Sequence, residues 1–213
     1  PGLAEHSFRL KAYSGCLALR NHLISMLELA DMERAPAERR RLLTFVVAGA
    51  NYAGVEVAGE LREFLPDTAR RYFRHILPDE ISVVLVCSTD HILPELRSRM
   101  PGLVQYAERT LADDPHLKVL YGRKLAAATI DEALLSDGTR IPTRTIVSCT
   151  GMSVVPVLDS VNLQKDAHGR LVADCYGHAA GKTDIWTGGD CGAVPQPDGS
   201  PAPPLAIWAI TVG

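Results

Sequence analysis

Gly49, Asn51 and Gly54 lie in the stretch LTFVVAGANYAGVEVAGELREFL, from Leu43 to Leu65, which reads as an apolar strand, a tight turn and a helix. Such a turn can hold a diphosphate. A glycine at the strand's end lets the chain reverse, the first amides of the helix and its dipole favour negative charge, and a second glycine lets helix and strand pack closely. The pattern departs from G-x-G-x-x-G at its middle position, where Asn51 stands. Asn tolerates positive φ better than other non-glycine residues, so the turn is expected to survive. The Asn51 side chain is expected either to take up space that a diphosphate would approach or to donate a hydrogen bond to it. Glu56 falls in the first turn of the helix, where an acid suits the dipole on its own account. Alone, the motif leaves a dinucleotide site and an ordinary βα connection both open.

The elements that would position this turn follow from hydrophobic spacing. Leu19, Leu23, Met26, Leu27 and Ala30 recur on one face of a helix that follows an opening loop. The charged segment Asp31 to Arg41 then leads into a strand at Thr44 to Ala48. After the turn, Val57, Leu61, Phe64 and Leu65 form an apolar stripe on a helix that Pro66 is predicted to interrupt. A second short helix is expected through Arg70, Tyr72 and His75. Ile81 to Val86 is unbroken in its apolar character and suits a parallel strand covered on both faces. A helix from Pro101 to Leu111 follows, with Leu103, Val104, Ala107 and Leu111 inward. This βαβα order predicts a parallel sheet with a right-handed crossover.

From His116 the pattern changes to short strands, LKVLY, KLAAATI, EALLSDG and TRIPTRTIVSCTG, with a hairpin turn at Asp137-Gly138. The expected fold class is therefore α/β: a Rossmann-like parallel sheet with helices on one face and a β-meander on the other, inserted between the third and last strands. The final third is loop-rich, with short apolar pieces at Val154 to Leu158, Arg170 to Val172 and Asp184 to Thr187, and an irregular Pro-rich loop from Val194 to Pro204. A helical pattern begins at Leu205 just before the chain stops at Gly213, as expected of a piece of a longer protein.

With 213 residues, 46% of them hydrophobic, the chain can bury at least one full core. A net charge of −3, with Lys and Arg scattered, argues against a nucleic-acid partner. No apolar run approaches a membrane span and PGLAEHSF is not a signal peptide, so a cytoplasmic location is expected. The five cysteines form no C-x-x-C pair and read as free thiols, and the seven histidines show no metal-ligand spacing.

Four features fall in a fixed order: GANYAGVE, the strand-ending Thr150-Gly151, the segment IWTGGDCG, and PPLAIWAITVG. As a set they resemble the flavoproteins with two dinucleotide-binding domains, the pyridine nucleotide-disulphide oxidoreductases, and most specifically the type II NADH dehydrogenases (NADH:quinone oxidoreductases). The resemblance spans nearly the whole chain. It implies an NAD(P)H-binding domain at 40–151, inserted into an FAD domain of which 1–39 and 152–213 are portions. The family's first FAD-binding glycine motif would lie upstream of Pro1, so this chain alone is not expected to hold FAD tightly.

By resemblance, Gly49, Ala50, Asn51, Tyr52 and Gly54 form the pyrophosphate turn, and Glu56 lies near where nicotinamide meets flavin. Cys87 and Ser88 occupy the strand tip that would meet the adenosine ribose, with Cys87 where the family usually has Glu. A neutral tip loses a charge-assisted bond to the ribose but also the repulsion against a 2′-phosphate. Asp90 is close enough to substitute, and no Arg follows immediately, which leans to NADH without excluding NADPH. Thr150 and Gly151 match the end of the family's last strand, Gly189 and Asp190 its second FAD fingerprint, and Ala206 its final helix. That helix has Ile207 and Thr211 where the family usually presents Gln toward the quinone, which leaves the electron acceptor open between a quinone and another molecule. The implied activity is hydride transfer from NAD(P)H to FAD and onward passage of electrons. A non-catalytic, redox-sensing dinucleotide module is the rival reading. Peripheral attachment to the cytoplasmic face of the inner membrane and a homodimer are both compatible with the resemblance.

Overall fold

The computed structural model describes residues 1–10, 12–151, 155–202 and 210. They divide into two compact units, Pro1–Thr150 and Gly151–Gly213. The first unit begins with α1 (Tyr13–Met32), α2 (Pro36–Leu42), β1 (Thr44–Ala48), α3 (Tyr52–Tyr72), β2 (Ser82–Val86), α4 (Pro94–Arg97) and α5 (Pro101–Ala112). It continues with β3 (Leu117–Leu120), β4 (Leu125–Ala128), β5 (Glu132–Leu135), β6 (Arg140–Pro142) and β7 (Thr145–Ser148).

The central sheet is parallel throughout and runs in the order β3-β2-β1-β7. Its strands are apolar on both faces because both are covered. Phe45, Val47, Val83, Leu85, Cys87 and Val147 share one core with α1, α3 and α5. The alternate residues Val46, Val84, Val86 and Ile146 pack against Ala128, Ala133 and Leu135 of the antiparallel meander β4-β5-β6. The predicted architecture, helices on one face and a meander on the other, is the one observed. The turn from β5 to β6 is at Asp137-Gly138, with Gly138 at φ +85°. Residues before α2 pack on this unit too. The five apolar residues predicted for α1 are those it buries, and Phe8 exchanges backbone bonds with Ile146 and Ser148 at 2.8 and 2.9 Å.

Four local expectations are corrected. α3 runs unbroken through Pro66 to Tyr72, and His75 lies beyond it. Leu61, Leu65 and Ala69 are buried on both sides of the proline. At about 1.5–3 kcal/mol for each buried large side chain, that packing outweighs a proline cost of about 3 kcal/mol. The buried stripe of α3 also contains small residues, Gly54, Ala58 and Ala69, while Phe64 is 40% exposed. In α5, Val104 and Leu111 are buried and Leu103 is exposed. The segment TRIPTRTIVSCTG holds two strands: β6 ends the meander at Pro142, and β7 enters the central sheet at Thr145. Both α2 and α4 were absent from the sequence reading; each has proline at its start, where the missing N–H costs nothing.

The second unit contains a short parallel pair, β8 (Leu171–Val172) and β9 (Gly192–Ala193). Buried Arg170 joins its loops, pairing Nη2 with Asp166 at 2.9 Å and donating from Nη1 to the Ala202 carbonyl at 3.0 Å. The short apolar piece Asp184 to Thr187 forms an isolated bridge between Trp186 and His178 rather than a strand. A one-turn helix, Gly189–Cys191, follows it. The expected helix from Leu205 lies outside the described residues, Ile210 excepted.

Candidate functional site

At the C-terminal edge of the central sheet, β1 turns into α3. Gly49 has φ +103°, and a Cβ there would stand 3.0 Å from the Cys149 carbonyl oxygen and 3.2 Å from Cγ2 of Thr150. The Gly49 N–H donates to the Val86 carbonyl at 2.9 Å. The turn is thus wedged between the ends of β2 and β7, and only glycine fits both the space and the backbone angle. Ala50 is buried and its carbonyl accepts from the Leu93 N–H at 2.8 Å, which ties the segment after β2 to the same turn.

Asn51 differs from its expected role. Its backbone is extended, at φ −75° and ψ −175°, so the positive φ belongs to Gly49 alone. Its Oδ1 accepts from the Gly54 N–H at 3.0 Å, and its Nδ2 donates to the Cys149 carbonyl at 2.8 Å. Both polar ends of the amide are engaged by the protein's own backbone: the side chain caps α3 and fastens the helix to the end of β7. A Cβ on Gly54 would stand 1.7 Å from the Gly49 carbonyl oxygen, so the start of α3 lies directly on the turn. The amides of Tyr52 and Ala53, in the first turn of the helix, have no intrahelical acceptor. Burial, and then the charge of Glu95, raise the pKa of the Tyr52 phenol, so it stays protonated at neutral pH. Glu56, expected in the first turn of the helix, is its fifth residue and exposed; the first turn carries no acid.

The end of β2 is built differently. Cys87 is 1% exposed and belongs to the core on the helix face. Its thiol donates to the His91 carbonyl at 3.1 Å, which also accepts from the Thr89 hydroxyl at 2.6 Å. Ser88 is exposed. The Asp90 side chain is 88% exposed and bonded to the His91 imidazole, and that bond holds its carboxyl below the usual range. The loop after β3 closes on this tip, with the Gly122 N–H donating to Thr89 at 3.0 Å and the Arg123 N–H to the Cys87 carbonyl at 2.9 Å. Arg123 is a charged residue at this edge of the sheet that the sequence reading missed. Its only signal was its place two residues after the tyrosine that ends LKVLY. At the end of β7 the Thr150 hydroxyl lies 3.1 Å from that of Ser148, and Gly151 has φ +82° with open space where a Cβ would be.

The structure therefore brings Gly49, Ala50, Asn51, Tyr52, Gly54, Ser88 and Thr150 to one edge of the sheet. Cys87 is there through its backbone, with its side chain turned into the core. Gly189, at φ +54°, and exposed Asp190 lie in the second unit; Ala206 is outside the described residues. Among the described residues no three His, Cys, Asp or Glu side chains are grouped to hold a metal. The chain proceeds from β1 to β2 and β3 on one side, then returns to β7 on the other side of β1. In parallel α/β sheets that reversal opens a crevice at the strand ends where ligands bind, and the Gly49 turn stands at it.

A profile of the pyridine nucleotide-disulphide oxidoreductases matches residues 1–212. The chain belongs to this family. Among pyridine nucleotide-disulphide oxidoreductases and their relatives, it is 31% identical over 207 residues to the external alternative NADH-ubiquinone oxidoreductase of Yarrowia lipolytica mitochondria, a match covering 91% of this chain and 34% of that protein. It is 25% identical to a probable NADH dehydrogenase of Dictyostelium discoideum, over 96% of this chain and 45% of the other. The solved structure of NDH2 from Plasmodium falciparum in complex with NADH shares the fold, with a TM-score of 0.76 at 16% identity over 91% of this chain and 41% of that one. The chain thus spans between a third and a half of the length of these relatives. No described helix is long and apolar enough to cross a membrane.

Proposed function

We propose that this chain is the nucleotide-binding part of an FAD-dependent NAD(P)H oxidoreductase, which passes hydride from NAD(P)H to the flavin and electrons onward to a quinone or another acceptor. The observation that carries this reading is the Gly49–Gly54 turn at the sheet's reversal point, in a chain whose family and named relatives are oxidoreductases. The Tyr52 and Ala53 amides and the α3 dipole would hold the diphosphate. Asn51 keeps α3 in place by capping it, which removes the objection that its side chain blocks the turn. Glu56 faces the nicotinamide end on this reading, and Thr150 and Gly151 leave room at the end of β7 for the cofactor to cross.

For FAD, the exposed Asp190 carboxylate directly after a positive-φ glycine suits a ribityl hydroxyl as donor. Flavin, when bound, supplies the hydride-accepting chemistry, and the protein supplies orientation and exclusion of water. The proposed division is 40–151 for NAD(P)H, with 1–39 and 152–213 as portions of the flavin domain. A cytoplasmic protein attached peripherally to the inner membrane fits this activity.

The test is made on the full-length protein. It is expected to purify yellow or to take up FAD, and to oxidise NADH or NADPH when a soluble quinone is supplied. A protein that stays colourless with FAD and leaves both nucleotides unoxidised with every quinone tried overturns the proposal. Nucleotide binding without oxidation in a flavin-loaded protein would establish the sensor reading instead.

A further inference from the structure

At the adenosine end of the proposed nucleotide site the strand-tip residue is not an acid, and an arginine lies on the adjoining loop. A nucleotide fold that prefers NADH places an acid at the tip of its second strand to accept from the ribose hydroxyls, whereas a nearby Arg accommodates the extra phosphate of NADPH. Here the tip residue is Cys87, with its thiol bonded to the His91 carbonyl and its side chain in the core. No Arg follows it in sequence, but the fold supplies one. The backbone of Arg123, in the loop after β3, is fixed to the tip by the bond from its N–H to the Cys87 carbonyl at 2.9 Å.

The charges around the tip decide what its side chain can do. Arg123 Nε pairs with Asp137 at 2.6 Å, both side chains being 37% exposed. Such a half-exposed pair is weak and open to a stronger anion. Among the described residues, Asp137 is the carboxylate within ion-pair distance of Arg123. Exposed Lys124 is next in the chain, and Asp90 is held by His91 and lies within the field of Arg97. A phosphate dianion offers the guanidinium a bidentate, charge-assisted partner that a ribose hydroxyl cannot match.

We infer that Arg123 receives the 2′-phosphate of NADPH, and that this chain binds NADPH at least as tightly as NADH. The inference rests on the nucleotide reading above and specifies its substrate. It is tested by calorimetric titration of the purified protein with NADPH and with NADH at low and moderate salt. The expected result is an NADPH affinity equal to or above that of NADH, with the advantage shrinking as salt rises. Arg123→Gln should weaken NADPH about tenfold, the loss of one charge-assisted phosphate contact, and leave NADH within about twofold. Arg123→Lys should recover part of the loss. Asp137→Asn, which releases the guanidinium, should tighten NADPH and not NADH, and it reports independently if the Arg123 variants fold poorly.

NADH binding more than tenfold tighter than NADPH, or an Arg123→Gln variant that weakens both nucleotides equally, would overturn the role of Arg123 while leaving the nucleotide site intact. Failure of both nucleotides to bind at millimolar concentration would overturn the nucleotide reading itself, and this inference with it.

Discussion

Two strand-to-helix connections lie side by side at the same edge of the sheet. After β1, the chain turns on Gly49 at φ +103° and enters a helix of 21 residues capped by Asn51. After β2, it passes through Cys87, Thr89 and His91, whose thiol, hydroxyl and carbonyl bond to one another, and enters a helix of four residues at Leu93, with φ +51°. The first connection uses glycine and a single amide side chain, and it leaves backbone N–H groups at the surface. The second fills itself with its own side chains and presents carbonyls, two of which the β3 loop covers. On the proposed reading an anion suits the first, where the Tyr52 and Ala53 amides lack intrahelical acceptors. In the second the thiol is buried and bonded, so on the proposed reading what it offers a nucleotide comes from Ser88 and from Arg123 on the neighbouring loop.

The widest separation between the two is expected from Gly54→Ala. A methyl group 1.7 Å from a backbone oxygen cannot be absorbed by a side-chain rotation, so α3 must shift away from the turn. The expected cost is about 3–4 kcal/mol in urea unfolding, at the high end for a single substitution, with loss of NADH and NADPH binding in the folded fraction. A cost below about 1 kcal/mol would mean that α3 does not rest on the turn. At the second connection the corresponding change is Leu93→Gly. It relieves a left-handed backbone worth about 1–2 kcal/mol, but it empties a buried site whose loss costs about 2–5 kcal/mol. Burial should win, and the variant should be less stable by about 2 kcal/mol. Net stabilisation would show that strain, not packing, dominates the loop after β2.

The same contrast explains how much could be read before the fold was known. The β1 connection was legible because its signals are local: an apolar strand, two glycines at fixed spacing and a helical stripe. β1 itself, the buried face of α1, the meander and its Asp137-Gly138 turn followed from spacing of the same kind. What was not legible depended on residues far apart. Whether Asn51 faces a ligand or the Cys149 carbonyl is decided by a strand 98 residues away. Whether Pro66 ends a helix depends on what Leu65 and Ala69 bury. Arg123 was missed because its backbone reaches the β2 tip from the loop after β3. The large residues Phe64 and Leu103 were read as core, because size is a poorer guide than smallness where a helix approaches a sheet closely.

A smaller effect is expected from Asn51→Ala. It removes the cap on Gly54 and the tether to Cys149 together, and the site is partly exposed, so water can replace some of each bond. About 1–2 kcal/mol is expected. Asn51→Asp should keep the cap but turn a carboxylate oxygen toward the Cys149 carbonyl, so it should recover only part of the loss. Full recovery by Asp would mean that the tether to β7 contributes nothing.

The smallest effect should come from Cys87→Ser. A hydroxyl can donate to the His91 carbonyl as the thiol does, and that carbonyl keeps its bond from Thr89 in either case. The substitution exchanges a soft apolar group for a more polar one in the core on the helix face, at about 0.5–1 kcal/mol. Burial also predicts that Cys87 reacts with an alkylating reagent only as fast as the protein opens, and far more slowly than exposed Cys16 or Cys175. Fast modification of Cys87 in the folded protein, blocked by added nucleotide, would put the thiol at the ligand surface. The two connections would then differ in sequence but not in kind, and the distinction between an open turn and a self-filled one would fail at the residue on which it depends.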